Sequence, residues 1–287
     1  MFMTFAGPRT APGRASPPPG ARARRRGSRL ARLGLPLLSL VAFVALWQLV
    51  VSLRLWNETL VPGPGAVWRA FVQTSVTHDG TRGYSGTFLY EHFLISIGRI
   101  LYGAGAGIAL GIALGLVMGL TPWLRAVFEP WVTFLRALPP LAYFSLLIIW
   151  LGIDEPPKIT LLAVAAFPPV AVATTTAVIA APRGLVEAAR ALGAGRFEVV
   201  RDVVVPSALP ETITGIRLAV GVAYSSLVAA ELVNGLPGIG GMVRDAANYN
   251  NTPVVLVGIV VIGVSGLLID ALLQLAERRI VPWRGRL

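Results

Sequence analysis

The sequence predicts an all-α polytopic membrane protein with six transmembrane helices, and three observations carry that prediction. Apolar residues make up 55% of the 287 and charged residues only 14%, where soluble domains carry about 25% charge. The apolar residues are gathered into charge-poor runs of membrane-spanning length. The basic residues are shared unevenly between the segments that join those runs.

The chain opens on a basic arm. Eight of its 25 basic residues lie in the first 32 positions, and residues 7–32 mix Pro, Gly and Arg with almost nothing apolar to bury. This predicts a disordered cytoplasmic tail over 1–32 that rests on anionic lipid. No aromatic residues interleave for base stacking in 7–32, so nucleic acid is not expected as a partner.

A helix rising about 1.5 Å per residue needs about 20 apolar residues to cross a hydrocarbon core. Residues 33–53 carry no charge and are too long for a signal sequence, so they read as a retained anchor. The runs 100–124 and 159–182 follow as the second and fourth spans. Between them, 137–153 is short and opens on Pro139 and Pro140, which predicts a broken or kinked entry. The fifth span covers 212–232 with Arg217 and Glu231 near its ends, and the sixth covers 254–275 with Asp270 inside. The six-span membrane domain is thus 33–276, closed by a basic tail over 277–287.

With the N-terminus inside, 19 of the 25 basic residues fall on the inner side and six on the outer. The positive-inside tendency then places both termini in the cytoplasm.

Enzyme chemistry has little to work with. There is no Cys, and the two His, His78 and His92, lie in a polar stretch. No catalytic residue, metal site or cofactor is expected.

Glycines at 103, 107, 111, 115 and 119 keep a strict period of four. Such a ridge lets another helix approach closely, first of all within the same subunit. Arg217 and Asp270 both fall near inner ends of spans and are expected to pair. Glu231 at the outer end of the fifth span either lines a gate or is solvated. Arg99, Arg136, Tyr224, Ser225 and Ser226 are candidate donors along a pathway, with Arg136 alternatively an interfacial anchor.

The loop 181–211 reads as two short helices. Leu185, Ala188, Ala189 and Leu192 form one apolar face, Gly193 and Gly195 end that helix, and Phe197, Val200 and Val204 continue until Pro206 and Pro210 break the pattern. Within it, Glu187-Ala188-Ala189, then Gly193, then Val203, Val205 and Pro206 match the pattern EAA-x3-G-x9-I-x-L-P, with Val in place of Ile and Leu. The chain thereby resembles bacterial ATP-binding-cassette (ABC) importer permeases of the type I, MetI-like fold. Segments such as FLRALPPLAYFSLLIIWLGI and GIGGMVRDAANYNNT are similar to the branch that imports taurine, aliphatic sulfonates and nitrate.

That resemblance implies a permease in a bacterial inner membrane. Its implied partners are two cytoplasmic ATPase subunits, an extracytoplasmic solute-binding protein and a second permease chain, expected to be another copy. It assigns the loop at Glu187–Gly193 to coupling with the ATPase, and the outer segments 54–94 and 235–253 to the binding protein. The cargo it implies is a small organosulfonate, with nitrate, another small anion or a vitamin precursor as alternatives. ATP belongs to the partners, because the single Lys, Lys158, sits in no phosphate-binding loop. A gradient-driven secondary transporter is the rival class, but neither inverted repeats nor a midplane acid cluster is visible.

Overall fold

The computed structural model describes residues 27–54, 57, 59–78, 80–233, 235 and 237–282. Contacts divide the chain into two units, residues 1–57 and 58–287.

The first unit contributes α1 (Gly27–Ser52), whose stretch Gly34–Ser52 is long and apolar enough to cross a membrane. The helix starts six residues earlier than the predicted span, so 27–32 are not part of an irregular tail. Ser28 to Leu33 are mostly good helix formers, and adding them to an existing helix requires no new nucleation. Residues 1–26 of the expected tail lie outside the described residues.

The second unit is a helical bundle with a cap at one end. Its elements are α2 (Pro64–Ser75), a two-stranded hairpin of β1 (Thr77–His78) and β2 (Thr81–Arg82), α3 (Leu89–Leu120), α4 (Pro122–Ala137), α5 (Pro140–Leu151) and α6 (Glu155–Ile179). The short helices α7 (Arg183–Ala191) and α8 (Arg196–Val199) precede α9 (Val205–Val233), α10 (Ile239–Asn248) and α11 (Thr252–Ile280).

The glycine ridge sets the architecture. A methyl group at Gly103 would stand 2.6 Å from Leu162 Cβ, one at Gly111 2.8 Å from the Phe167 carbonyl, and one at Gly119 2.6 Å from Val178 Cβ. Gly107 meets the Ala163 carbonyl and Gly115 meets Thr174 in the same way. Each step of four along α3 is matched by about four along α6, so the two helices run parallel, backbone against side chain, within one subunit.

Parallel neighbours require the chain to return between them. The return is made by α4 and α5, which are bent by 98° at Leu138 and Pro139. Pro139 and Pro140 supply no N–H there, which ends the first helix and starts the second. Five helices of span length together with this bent pair give the six crossings expected from the sequence. Next, α9 runs antiparallel to both α3 and α6: Leu227 joins Ile100, Ala104, Leu162 and Ala166 in the central core, and Gly215 abuts Ala173.

At the opposite end from Ile179, the cap gathers Ala70 of α2, Leu89, Met242 and Ala246 of α10, and Val254 and Val257 of α11. Through Val67 and Ala70, α2 therefore packs over helix ends. The cap brings residues 67–89 together with 242–257, which lie far apart in sequence.

Candidate functional site

Three polar assemblies interrupt the apolar bundle. The first is the loop between α6 and α9, at the same end as the C-termini of α3 and α6. Gly193 adopts φ +90°, the left-handed conformation that closes α7, while Gly195 at φ −70° instead caps α8. The carboxylate of Glu198 accepts the Gly195 N–H at 2.8 Å.

Val186, Ala189 and Ala194 pack against Ala177, Val178, Val199, Val204 and Ala208. The apolar face read from the sequence is split: Ala189 packs inward, while Leu185 at 49%, Leu192 at 89% and, beyond them, Phe197 at 74% are exposed. Glu187 and Ala188 are exposed beside them. Nor do Pro206 and Pro210 end the helix as their sequence positions suggest. A π-helical turn over Val200–Val204 widens the backbone, with the Val205 N–H donating to the Val200 carbonyl, and the proline that lacks an N–H falls immediately after it. Ser207 Oγ donates to the Val203 and Val204 carbonyls at 2.6 and 3.0 Å, and one continuous helix results from Arg196 to Val233.

The second assembly lies at the opposite end of the bundle, beside the cap. Arg99 of α3, 3% exposed, donates from Nη1 to Glu231 Oε1 at 2.5 Å and to the Pro237 carbonyl at 2.8 Å. Its Nε and Nη2 donate to both oxygens of Glu155 at the start of α6, at 2.6 and 2.5 Å. Lys158 Nζ lies 3.6 Å from Glu155 Oε1. Glu231, 1% exposed, also accepts from Ser96 Oγ at 2.8 Å and from the Gly240 N–H at 2.9 Å. His92 Nδ1 accepts the Gly238 N–H at 3.1 Å. Gly238 stands at φ +136° against Glu231 and Arg99, so only glycine fits that turn.

Glu231 is therefore buried and not solvated. Burial of a carboxylate needs a charge partner, and Arg99, expected as a pathway donor, is that partner. The pair is separated by 132 positions, which no local spacing reveals.

The third assembly joins the first half of α9 to the last turns of α11. Arg217 Nη2 donates to Asp270 Oδ1 at 2.8 Å, and its Nη1 donates to Glu277 Oε2 at 3.0 Å. Glu277 had no place in the sequence reading, although Asp270 and Glu277 are seven apart and so share a face of one helix.

The remaining candidates do not converge. Tyr224 Oη donates to the Ile262 carbonyl at 2.7 Å and lies 2.5 Å from Ser265 Oγ, tying α9 to α11. Ser225 and Ser226 donate back to carbonyls of their own helix, at 3.0 Å and 2.7 Å to Val222. The void that Tyr224 and Glu231 share is about 10 Å³, room for one water at most. In the cap, burial and a hydrogen bond to Asp245 push the Tyr84 phenol up to about 12. Among the described residues no group of acids and histidines is placed to hold a metal.

Known proteins agree with this picture. The chain is 37% identical over 247 residues to the taurine transport system permease protein TauC of Escherichia coli, covering 86% of this chain and 88% of that one. It is 32% identical over 246 residues to a putative aliphatic sulfonates transport permease protein, SsuC, of Bacillus subtilis, with 84% of each covered. In fold it is similar to the solved inward-facing MetNI methionine ABC transporter, with a TM-score of 0.53, 22% identity, and coverage of 68% of this chain and 94% of that one. Residues 107–282 match the model for the binding-protein-dependent transport system inner membrane component. The chain is an ABC transporter permease, a member of the family of binding-protein-dependent transport system inner membrane components.

Proposed function

We propose that this permease carries a small organosulfonate, taurine or an alkanesulfonate, into the cell by alternating access. Two cytoplasmic ATPase subunits drive it and an extracytoplasmic binding protein supplies it. The observation that carries the coupling role is α7. It is a short helix hung between α6 and α9, turned by Gly193 at φ +90°, with Leu185, Leu192 and Phe197 left outside the bundle. In this reading Glu187, Ala188, Ala189, Gly193 and Pro206 form the docking loop for the ATPase, and closure of the nucleotide-bound ATPases rotates the bundle through it. Both termini are cytoplasmic, a second copy of the chain completes the pore, and the α2–α10 cap meets the binding protein. The taurine and sulfonate relatives support the choice of cargo.

The test is purification of the tagged chain from native membranes in mild detergent, followed by taurine uptake in liposomes with the ATPase and binding protein that come with it. Gly193→Val forces a β-branched residue to φ +90°, and Glu187→Lys reverses the rim charge. Both variants are expected to assemble, hydrolyse ATP and lose most uptake. Parental uptake by both would remove the coupling assignment. ATP-driven uptake of nitrate but of no sulfonate would replace the cargo.

A further inference from the structure

Successive side chains on a helix point about 100° apart, and on α2 that rotation sorts the residues into three sectors. Val67, Ala70 and Thr74 turn to the bundle, where Ala70 and Thr74 are 5% and 2% exposed. Arg69 and Gln73 share a second sector, polar and exposed. Trp68, Phe71 and Val72 form the third, which is apolar and yet 65%, 38% and 40% exposed. There the Trp68 and Phe71 rings are stacked with their centroids 5.5 Å apart. A contiguous apolar patch of this kind marks a contact with protein or with membrane.

The level at which α2 lies decides between them. It packs on α11 at Val254 and Val257, and Val255 and Val261 join the same cluster. These residues open the charge-free run from Pro253 to Ile269, the part of α11 suited to hydrocarbon. Val254 and Val261 stand about 3 and 13 Å along the axis from Thr252. Thr252 Oγ1 also donates to the Thr59 carbonyl, which ties the approach to α2 to the first residue of α11. The helix therefore lies beside the ends of the spans rather than clear of them. That is the boundary of headgroups and acyl chains, where amphipathic helices rest about 5–10 Å deep. A soluble protein does not reach a face turned toward acyl chains at that level.

We propose that α2 is an interfacial helix whose partner is the lipid bilayer. Its Trp68, Phe71 and Val72 sector dips into the headgroup–acyl boundary of the leaflet on the cap side, and Arg69 and Gln73 face water and lipid phosphate. Three sectors are what such a place requires: one for the bundle, one for acyl chains and one for water. Trp joins a large apolar ring to an N–H that donates to lipid oxygens, which suits it to this boundary. The apolar stem of Arg69 lets its guanidinium reach a phosphate. The cap is thereby held at a fixed height on the membrane, and α10 is left to a soluble partner. The inference goes beyond the transport reading and does not depend on the cargo.

The chain has no Cys, so single thiols can be introduced for labelling. Phe71→Cys and Val72→Cys report on the apolar sector, and Arg69→Cys and Gln73→Cys on the polar one. All four positions are exposed, which leaves the packed side of the helix intact. Each full-length variant is labelled with a nitroxide and placed in phosphatidylcholine nanodiscs. Its collisions with oxygen, which concentrates in lipid, and with a water-soluble nickel chelate are then measured by power-saturation EPR. The ratio of oxygen to nickel collisions should be severalfold higher at the Phe71 and Val72 positions than at those of Arg69 and Gln73.

Equal ratios in the two sectors, or free access of nickel to all four labels, overturn the proposal. Spin–spin broadening at the Phe71 position that vanishes on dilution with unlabelled chain assigns the sector to a second copy, and also overturns it. So does a label that is open to nickel until a co-purifying binding protein is added and immobile afterwards. Taurine uptake does not enter the readout, so this proposal and the cargo reading fail separately.

Discussion

Replacing Glu231 by glutamine removes one charge from a set of four that is otherwise neutral, Arg99 and Lys158 against Glu155 and Glu231. The side chains of Arg99, Lys158 and Glu231 are 2%, 3% and 1% exposed, and only Glu155, at 46%, reaches the surface. Leaving a buried charge without its partner costs about 3–5 kcal/mol. The glutamine oxygen still accepts from Ser96 and the Gly240 N–H, which puts Glu231→Gln near the lower limit, about 3 kcal/mol. At about 2–4 °C per kcal/mol for a chain of this size, the unfolding midpoint should fall by about 6–12 °C. Adding Lys158→Met makes the set neutral again. The double variant should melt above the single Glu231→Gln variant, with a coupling of at least about 1 kcal/mol. Detergent-solubilised protein is heated in steps and the surviving monodisperse fraction is read by size-exclusion chromatography. If the double variant loses as much as the two singles together, charge balance is not what holds this end of the bundle, and the reasoning fails.

On α3, Gly107→Leu should abolish recovery of the assembled transporter, because its side chain would start on the Ala163 carbonyl, whereas Gly105→Leu has nothing within 4 Å and should assemble normally. Around Arg217, Glu277→Gln should destabilise by about 3 kcal/mol and Asp270→Asn by clearly less, since their side chains are 9% and 52% exposed. The same heating assay ranks them, and an equal or reversed order would place the main support of Arg217 on Asp270.

The elements that follow a simple period were legible in the sequence. Charge-free runs give the spans, and a four-residue glycine period gives a close helix contact, though not that α3 and α6 run in the same direction. Arg217 and Asp270 could be matched because both lie near inner ends, and the structure sets them 2.8 Å apart. What could not be read is held together by distance along the chain or by backbone detail. Arg99 and Glu231 meet across 132 positions, and a π-helical turn carries the helix past Pro206 where proline statistics predict a stop. A usable signal did exist for the first: an arginine inside an otherwise apolar helix requires a buried acid, and the candidates in neighbouring spans are few. Which residues of α7 turn inward could not be read, because this helix is apolar on two sides. Only packing against Val199 and Val204 decides which side turns in.

The parallel contact of α3 with α6 has a mechanical meaning. With carbonyl and Cβ atoms of α6 filling the glycine notches from Gly103 to Gly119, neither helix can slide past the other without lifting out of four or five notches together. The two behave as a single beam. Ile179, at one end of the beam, stands three residues before Pro182 and the start of α7, while Glu155 and Arg99 lock its far end to the Pro237–Gly240 turn. A push delivered at α7 therefore arrives at the opposite face of the bundle almost undiminished, as torque on that turn, without any signal having to pass from side chain to side chain.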